Sequence, residues 1–365
     1  MHVPSDPLAT PRFTGPRTFA RLPHLPDADD ADVMVFGMPW DGSTTFRSGA
    51  RMGPEAIRSA SALLRPYNPA LDVMVFGALS MVDAGDAPTV PGYIEETMPR
   101  IEAFVAAILA RGAVPVGMGG DHSVTLAELR ALHAVHGPVA LVQFDAHHDL
   151  WDRYFGLPYN HGTVIRRAIE EGLIDPARSF TGGQRGSLYG PEDERIAADL
   201  GMLLVPWREL RHWEPARLAE TIRQRAGDAP VFLSFDIDFL DPGLAPGTGT
   251  PEAGGPRGDE ALDCVRALAG LNLVGADVVE VAPQYDGPGQ ATSRSTRASS
   301  TGWPAWRAKA ARIRKPSGVS TLSGWNCTPS IGSVRWRRPM IRPSGRRAET
   351  ISSPSATGSS AASAW

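Results

Sequence analysis

The chain of 365 residues is poor in cysteine, poor in lysine, and without a long apolar run. Its two cysteines, Cys264 and Cys327, lie far apart with no CxxC spacing. That excludes a disulfide framework and fits a reducing compartment. The longest strongly apolar run, Ala103–Ala110, is too short to span a bilayer. Residues 1–32 are rich in Pro and Asp and lack the apolar segment of a secretory leader. A cytoplasmic protein is therefore the expectation. Both lysines, Lys309 and Lys315, fall late in the chain, and that placement marks a change of character. Residues 1–290 carry 23 basic and 39 acidic side chains, whereas residues 291–365 carry 13 basic residues and one acid, Glu349. Five of the nine tryptophans also fall in the later segment. A single domain does not usually change so abruptly.

What is present organises into three parts. Residues 1–31 form an arm broken by Pro4, Pro7, Pro11, Pro16, Pro23 and Pro26. Residues 32–290 alternate apolar strand runs with amphipathic helical patterns. The strand runs are 32–37, 114–118, 139–144, 202–205, 231–235 and 273–281. The helical patterns begin at Pro54 and cover 93–111, 124–136 (with Ser123 as its cap), about 162–172, 191–200, 214–226 and 258–269. Such alternation predicts an α/β fold with a parallel sheet covered on both faces. The hexapeptide Asp32–Gly37 recurs at Asp72–Gly77, but the flanks differ and the match covers six residues only, so it is read as coincidence and not as a structural repeat. Residues 291–365 are an atypical basic, Ser-, Arg- and Trp-rich tail without a sustained apolar face, and disorder is expected there. No folded reader of nucleic acid accompanies its charge, so neither nucleic acid nor membrane is an expected partner.

The chemistry concentrates after three apolar runs. Asp145–Ala146–His147–His148–Asp149 follows Val139–Phe144, Asp236–Ile237–Asp238 follows Val231–Phe235, and His122 follows Val114–Met118. Read as a continuing strand, the first places Asp145, His147 and Asp149 on one face and His148 on the other, among packing residues. Carboxylates and imidazoles converging at neighbouring strand ends repel one another and lose hydration, and a cation removes that penalty. His122, Asp145, His147, Asp149, Asp236 and Asp238 offer more oxygen and nitrogen donors than one tetrahedral zinc requires, and they suit a pair of Mn²⁺-like ions. Two such ions sharing carboxylates bring a bridging water to ionise near neutrality, which is the nucleophile that guanidines and amides need. A loop histidine, His161, is a candidate proton shuttle, and Glu280, at the end of the last strand, is a candidate carboxylate for a substrate cation.

As a set, Gly119–Ser123, Asp145–Asp149, Ser234–Pro251, the loop Arg47–Arg58 and Glu280–Pro283 resemble the ureohydrolase (arginase/agmatinase) family over roughly residues 12–290. The resemblance implies a three-layer αβα sandwich around a parallel sheet of about eight strands, assembled as a trimer or hexamer. It implies His122, Asp145, Asp149 and Asp236 around one Mn²⁺ and His147, Asp145, Asp236 and Asp238 around the other, with Asp145 and Asp236 bridging and Ni²⁺ as an alternative metal. It makes Asp149, His161 and Glu280 the catalytic residues: proton acceptor, proton shuttle and guanidinium ligand. A single-zinc deacetylase of related fold would need fewer acidic ligands.

Arginases carry Asn two residues after the last aspartate of this motif, where this chain has Trp151, and Trp151–Phe155 before Asn160–Thr163 resembles agmatinases. Agmatine, giving putrescine and urea, is therefore the first expected substrate. Guanidinobutyrate, guanidinopropionate, a proclavaminate-type precursor or another small guanidine is the alternative. The tail departs from the family, which continues with an apolar helix. A basic tail that begins inside a motif is what a shifted reading frame in GC-rich coding sequence produces, and an inactive member is the reading that such a tail would favour.

Overall fold

Runs of apolar residues buried on both faces require helices above and below them, and the chain builds that arrangement. The computed structural model describes residues 1–287. The tail expected over 291–365 lies outside the described residues. In chain order the strands are β1 (Val33–Gly37), the short antiparallel pair β2 (Tyr67–Asn68) and β3 (Val73–Met74), then β4 (Met81–Asp86) and β5 (Val114–Met118). They continue with β6 (Ala140–Phe144), β7 (Phe180–Gly182), β8 (Leu203–Val205), β9 (Val231–Asp236) and β10 (Leu273–Val279). Eight of them form one sheet in the order β4-β1-β5-β10-β9-β6-β7-β8, every pairing parallel.

Helices α1 (Gly53–Ser61), α2 (Val75–Ala78), α7 (Trp207–Leu210), α8 (Pro215–Ala226) and α9 (Gly258–Arg266) pack on one face, against Val33, Val35, Val116, Val142 and Leu233. Helices α3 (Ile94–Ala110), α4 (Thr125–His136), α5 (Val164–Glu170) and α6 (Ile196–Asp199) cover the other, against Met34, Phe36, Leu141, Phe232 and Val274. Alternate residues of one strand thus serve opposite cores, as a pleat requires. The result is the expected three-layer αβα fold with an eight-stranded parallel sheet. Among the described residues no helix is long and apolar enough to cross a membrane.

Several elements differ from expectation. Strand β4 carries two acids, Asp83 and Asp86, and the buried Asp83 is paired with Arg58 at 2.8 Å, so no sustained apolar run marks it. Strand β7 is only three residues long. The helix expected over 191–200 divides into a 3₁₀ turn, Pro191–Glu194, and α6. Asp121, not Ser123, caps the turn that leads into α4: its carboxylate accepts the Ser123 N–H at 3.0 Å. The repeated hexapeptide is a buried strand at Val33–Gly37, but at its second occurrence it divides between β3 and α2. Identical residues adopt different structures because only the first copy has sheet neighbours on both sides.

Candidate metal centre and active site

Four adjacent strands, β5, β10, β9 and β6, deliver the candidate residues to one end of the sheet: His122 after β5, Glu280 after β10, Asp236 ending β9 and Asp145 after β6. Ligands bind at that end in parallel sheets. The chain does not continue as strand beyond Phe144, which corrects the expected strand alternation of Asp145, His147 and Asp149. Instead each aspartate folds the chain over itself. Asp145 Oδ1 accepts the His147 N–H at 2.7 Å and Asp236 Oδ1 accepts the Asp238 N–H at 2.8 Å, the turn geometry that a short carboxylate favours. Asp149 has a φ of 54° in the left-handed region. Its carbonyl accepts the Ile165 and Arg166 N–H groups at 3.1 and 3.2 Å, which pins that unusual backbone to the start of α5.

The turns bring five of the candidate residues into two groups, and Asp236, expected to bridge, lies beside His122 outside both. His122 Nδ1 lies 2.8 Å from Asp149 Oδ2, 3.1 Å from Asp145 Oδ2 and 3.4 Å from Asp236 Oδ2. His147 Nδ1 lies 3.0 Å from Asp238 Oδ2 and 3.6 Å from Asp145 Oδ1. Asp145 therefore turns one oxygen to each histidine. Ligand atoms of His122, Asp145 and Asp149 form one group that could hold an ion, and those of Asp145, His147 and Asp238 form a second. The residues of a binuclear metal site are thus present.

The electrostatics fit that use. Burial, then Asp238 and Asp145, push the Asp236 carboxyl well above the usual carboxylate range. Burial and Asp145 raise Asp149 to about 6. Among the described residues no arginine or lysine forms an ion pair with these carboxylates; the histidines face them directly, and Arg185, which donates to the Asp238 carbonyl at 2.6 Å, adds a nearby positive charge. His122 Nδ1 is buried and faces only carboxylate oxygens, those of Asp149, Asp145 and Asp236. Oxygen and imidazole donors in this proportion suit hard to borderline divalent cations such as Mn²⁺.

A polar row beneath the cluster crosses four adjacent strands: Asp277 of β10 lies beside Ser234 of β9, Ser234 beside Gln143 of β6, and Gln143 beside Thr181 of β7. His122 Nε2 is 2.9 Å from Ser234 Oγ, and Gln143 Nε2 donates to Asp145 Oδ2 at 2.8 Å. Thr181 Oγ1 in turn donates to Gln143 Oε1 at 2.9 Å. Second partners of this kind orient ligands. Sequence reading missed the row. Its signal was one polar residue inside each apolar strand run, Gln143 in β6, Ser234 in β9 and Asp277 in β10, where burial demands a partner.

His161 opens a 3₁₀ turn and places Nδ1 2.9 Å from Glu280 Oε1. The Thr45 N–H donates to His161 Nε2 at 3.0 Å, so the ring proton sits on Nδ1, facing Glu280. Burial opposes the imidazolium, but Glu280, Asp121 and Asp149 outweigh it and hold the His161 pKa above its ordinary value. Glu280, at φ 61°, also accepts the His122 N–H at 2.8 Å through Oε1. Its Oε2 is buried without a hydrogen-bond partner, and Gly249, with no side chain, leaves it room.

A cavity of about 450 Å³ lies over the cluster, lined by His122, His147, Asp149, His161 and Asp236 at its base and by Phe46, Trp151, Tyr154, Leu188, Tyr189 and Glu252 further out. Trp151 Nε1 donates to Asp193 Oδ2 at 3.1 Å, and its ring meets Tyr154 and Tyr189 edge-on. The His148 ring packs at a tilt against Trp151, with centroids 4.1 Å apart, and burial lowers its pKa to about 4.

Fold and site together define a metal-dependent hydrolase of guanidino compounds. A model of the arginase family matches residues 31–298, and the chain belongs to that family of ureohydrolases. It is 46% identical to a guanidinopropionase of Pseudomonas aeruginosa over 285 residues, 78% of this chain and 89% of that protein. It is 44% identical to an agmatinase of Chromobacterium violaceum over 278 residues, 75% and 83% of the two chains. The solved structure of proclavaminate amidinohydrolase from Streptomyces clavuligerus superposes with a TM-score of 0.77 at 38% identity, over 82% of this chain and 99% of that one.

Proposed function

We propose that this chain hydrolyses a linear guanidino compound to urea and an amine, with agmatine as its first substrate. His122, Asp145, Asp149 and Asp236 would hold one Mn²⁺, and Asp145, His147, Asp236 and Asp238 the other; Ni²⁺ suits the same donors. The observation that carries this reading is Asp145, whose two oxygens address different histidines at the base of one cavity. Two divalent ions at that spot supply a water ionised near neutral pH. Glu280 Oε2, with no partner of its own, receives the guanidinium. Asp149 would accept the proton of the attacking water, and His161, once Thr45 releases Nε2, would take up a proton from solvent at that nitrogen and pass it to the departing amine nitrogen.

The head group is read from the outer cavity. Among the described residues no arginine or lysine lines it, while Glu252 does and has no ion-pair partner there. An ammonium, as in agmatine, meets a carboxylate on this path. A guanidino acid is the second reading, favoured by Arg47. Its guanidinium lies 5.3 Å from the Phe46 ring centroid and 5.2 Å from that of Tyr285, next in sequence to the cavity lining and also without an ion pair among the described residues. Relatives named for both kinds of substrate lie at 44% and 46% identity, so likeness does not choose between them. Urea release from agmatine, arginine, guanidinobutyrate and guanidinopropionate decides. Agmatine should give the highest kcat/KM, a guanidino acid above it would establish the second reading, and arginine above it would overturn the argument from Trp151. A trimer or hexamer is part of the same proposal and is read by sedimentation.

A further inference from the structure

Beneath His122 lies a group of buried side chains that the proposed reaction does not use. Glu128 on α4 is fully buried and Asp277 on β10 nearly so, with relative exposures of 0% and 1%. Both oxygens of Glu128 and Oδ1 of Asp277 lack a hydrogen-bond partner when the two groups are counted as ionised. Glu128 Oε1 lies over Gly117, whose neighbour on the next strand is Asp277, so the two carboxyls occupy one buried space. Two adjacent buried carboxylates with no cation between them cannot both stay charged.

The backbone builds this arrangement deliberately. Gly117, Asp277 and Ser234 sit side by side on β5, β10 and β9. At Gly117 a Cβ would come within 2.7 Å of Glu128 Oε1, so the glycine makes room for the acid. Thr125 Oγ1 donates to Asp277 Oδ2 at 2.5 Å, and Ser234 is the β9 residue directly beside Asp277. Ser234 Oγ is in turn the partner of His122 Nε2 at 2.9 Å. The donors then run in one direction. An anionic Asp277, which already accepts from Thr125, would draw the Ser234 hydroxyl and the acid O–H of Glu128 toward itself, and Ser234 Oγ would then accept from His122 Nε2–H. This order fixes the proton of His122 on Nε2 and leaves Nδ1 free to face the ion.

We propose that Glu128, held as a neutral acid against Asp277, is a positioning residue that acts through Ser234 to orient His122 toward its metal ion. The proposal rests on the reading that His122 is a ligand. The ion at the His122 end should depend on Glu128, while the ion at the His147 end should not.

The test is Mn²⁺ titration by calorimetry, with bound metal counted by mass spectrometry, on the full chain and three variants. Wild-type protein that fails to bind two ions would sink the metal reading itself, separately from this proposal. Glu128→Gln, whose amide N–H replaces the acid O–H, should bind both ions with nearly wild-type affinity. Glu128→Leu removes the donor and should weaken one ion by about 10- to 100-fold, the range seen when second partners of metal ligands are lost, and leave the other unchanged. Where Glu128→Leu fails to fold, Ser234→Ala, a small change, should weaken the same single ion. Two ions bound as tightly as in wild type by Glu128→Leu, or by Ser234→Ala, would overturn the proposal. So would a loss in Glu128→Gln equal to that in Glu128→Leu, since the carboxyl would then act as an anion. The ion-loaded wild type should also show the infrared carbonyl band of a protonated carboxyl that Glu128→Gln lacks, and an identical band in both would contradict the proton's assignment.

Discussion

His161 Nδ1 stands 2.9 Å from Glu280 Oε1, and that same oxygen accepts the backbone N–H of His122 at 2.8 Å. One carboxylate thus ties a loop histidine to the strand end that carries a candidate metal ligand, while its second oxygen has no hydrogen-bond partner.

Glu280→Gln keeps the shape and removes the charge. Breaking a buried charge pair on one side costs about 3–5 kcal/mol, so kcat/KM for urea release should fall by about a hundredfold or more. Metal content should stay as in wild type, because Glu280 is not among the proposed ligands. Steady-state kinetics with metal analysis checks both, and full activity would remove Glu280 from the mechanism.

Stripping the metal should make stability depend on pH in a definite direction. Asp149 is raised to about 6 and Asp121 to about 7, each chiefly by burial, against an ordinary carboxylate near 4. A raised acid pKa means the fold binds that proton more tightly than the unfolded chain does. Its stabilisation is present at low pH and is lost as pH rises through the folded value. Chelator-treated protein should therefore lose thermal stability between about pH 4 and about pH 7, and readdition of Mn²⁺ should restore most of it at the upper end. A chelated protein whose Tm rises over that interval would contradict the electrostatic account.

Glu252 offers the test of substrate choice. Glu252→Gln should lower kcat/KM for agmatine by about tenfold, the scale of a charged hydrogen bond of about 1.5 kcal/mol, and should leave guanidinopropionate unchanged or improved. Equal losses on both would remove Glu252 from head-group recognition.

Much of this was legible in the sequence because polar residues stood where apolar runs ended. Asp145 and His122 follow β6 and β5, and Asp236 ends β9, so closely that strand periodicity alone led to one end of a sheet. The local path was not legible. Asp149 reaches the cluster by a left-handed turn pinned to α5, which no alternation rule foretells. Strand β4 was hidden by Asp83, whose charge is legible as a core residue only once Arg58, 25 positions earlier, is known to meet it. Glu128 looked like an ordinary polar position on an amphipathic helix, and only the absence of a side chain at Gly117 on another element reveals why it is buried.

The central claim is that Asp145 serves two cations at once. Metal counting on Mn²⁺-loaded wild type and Asp145→Ala tests it most directly. Two ions per chain in the wild type and loss of both in Asp145→Ala are predicted. Two ions retained by Asp145→Ala, or none bound by the wild type, would contradict it.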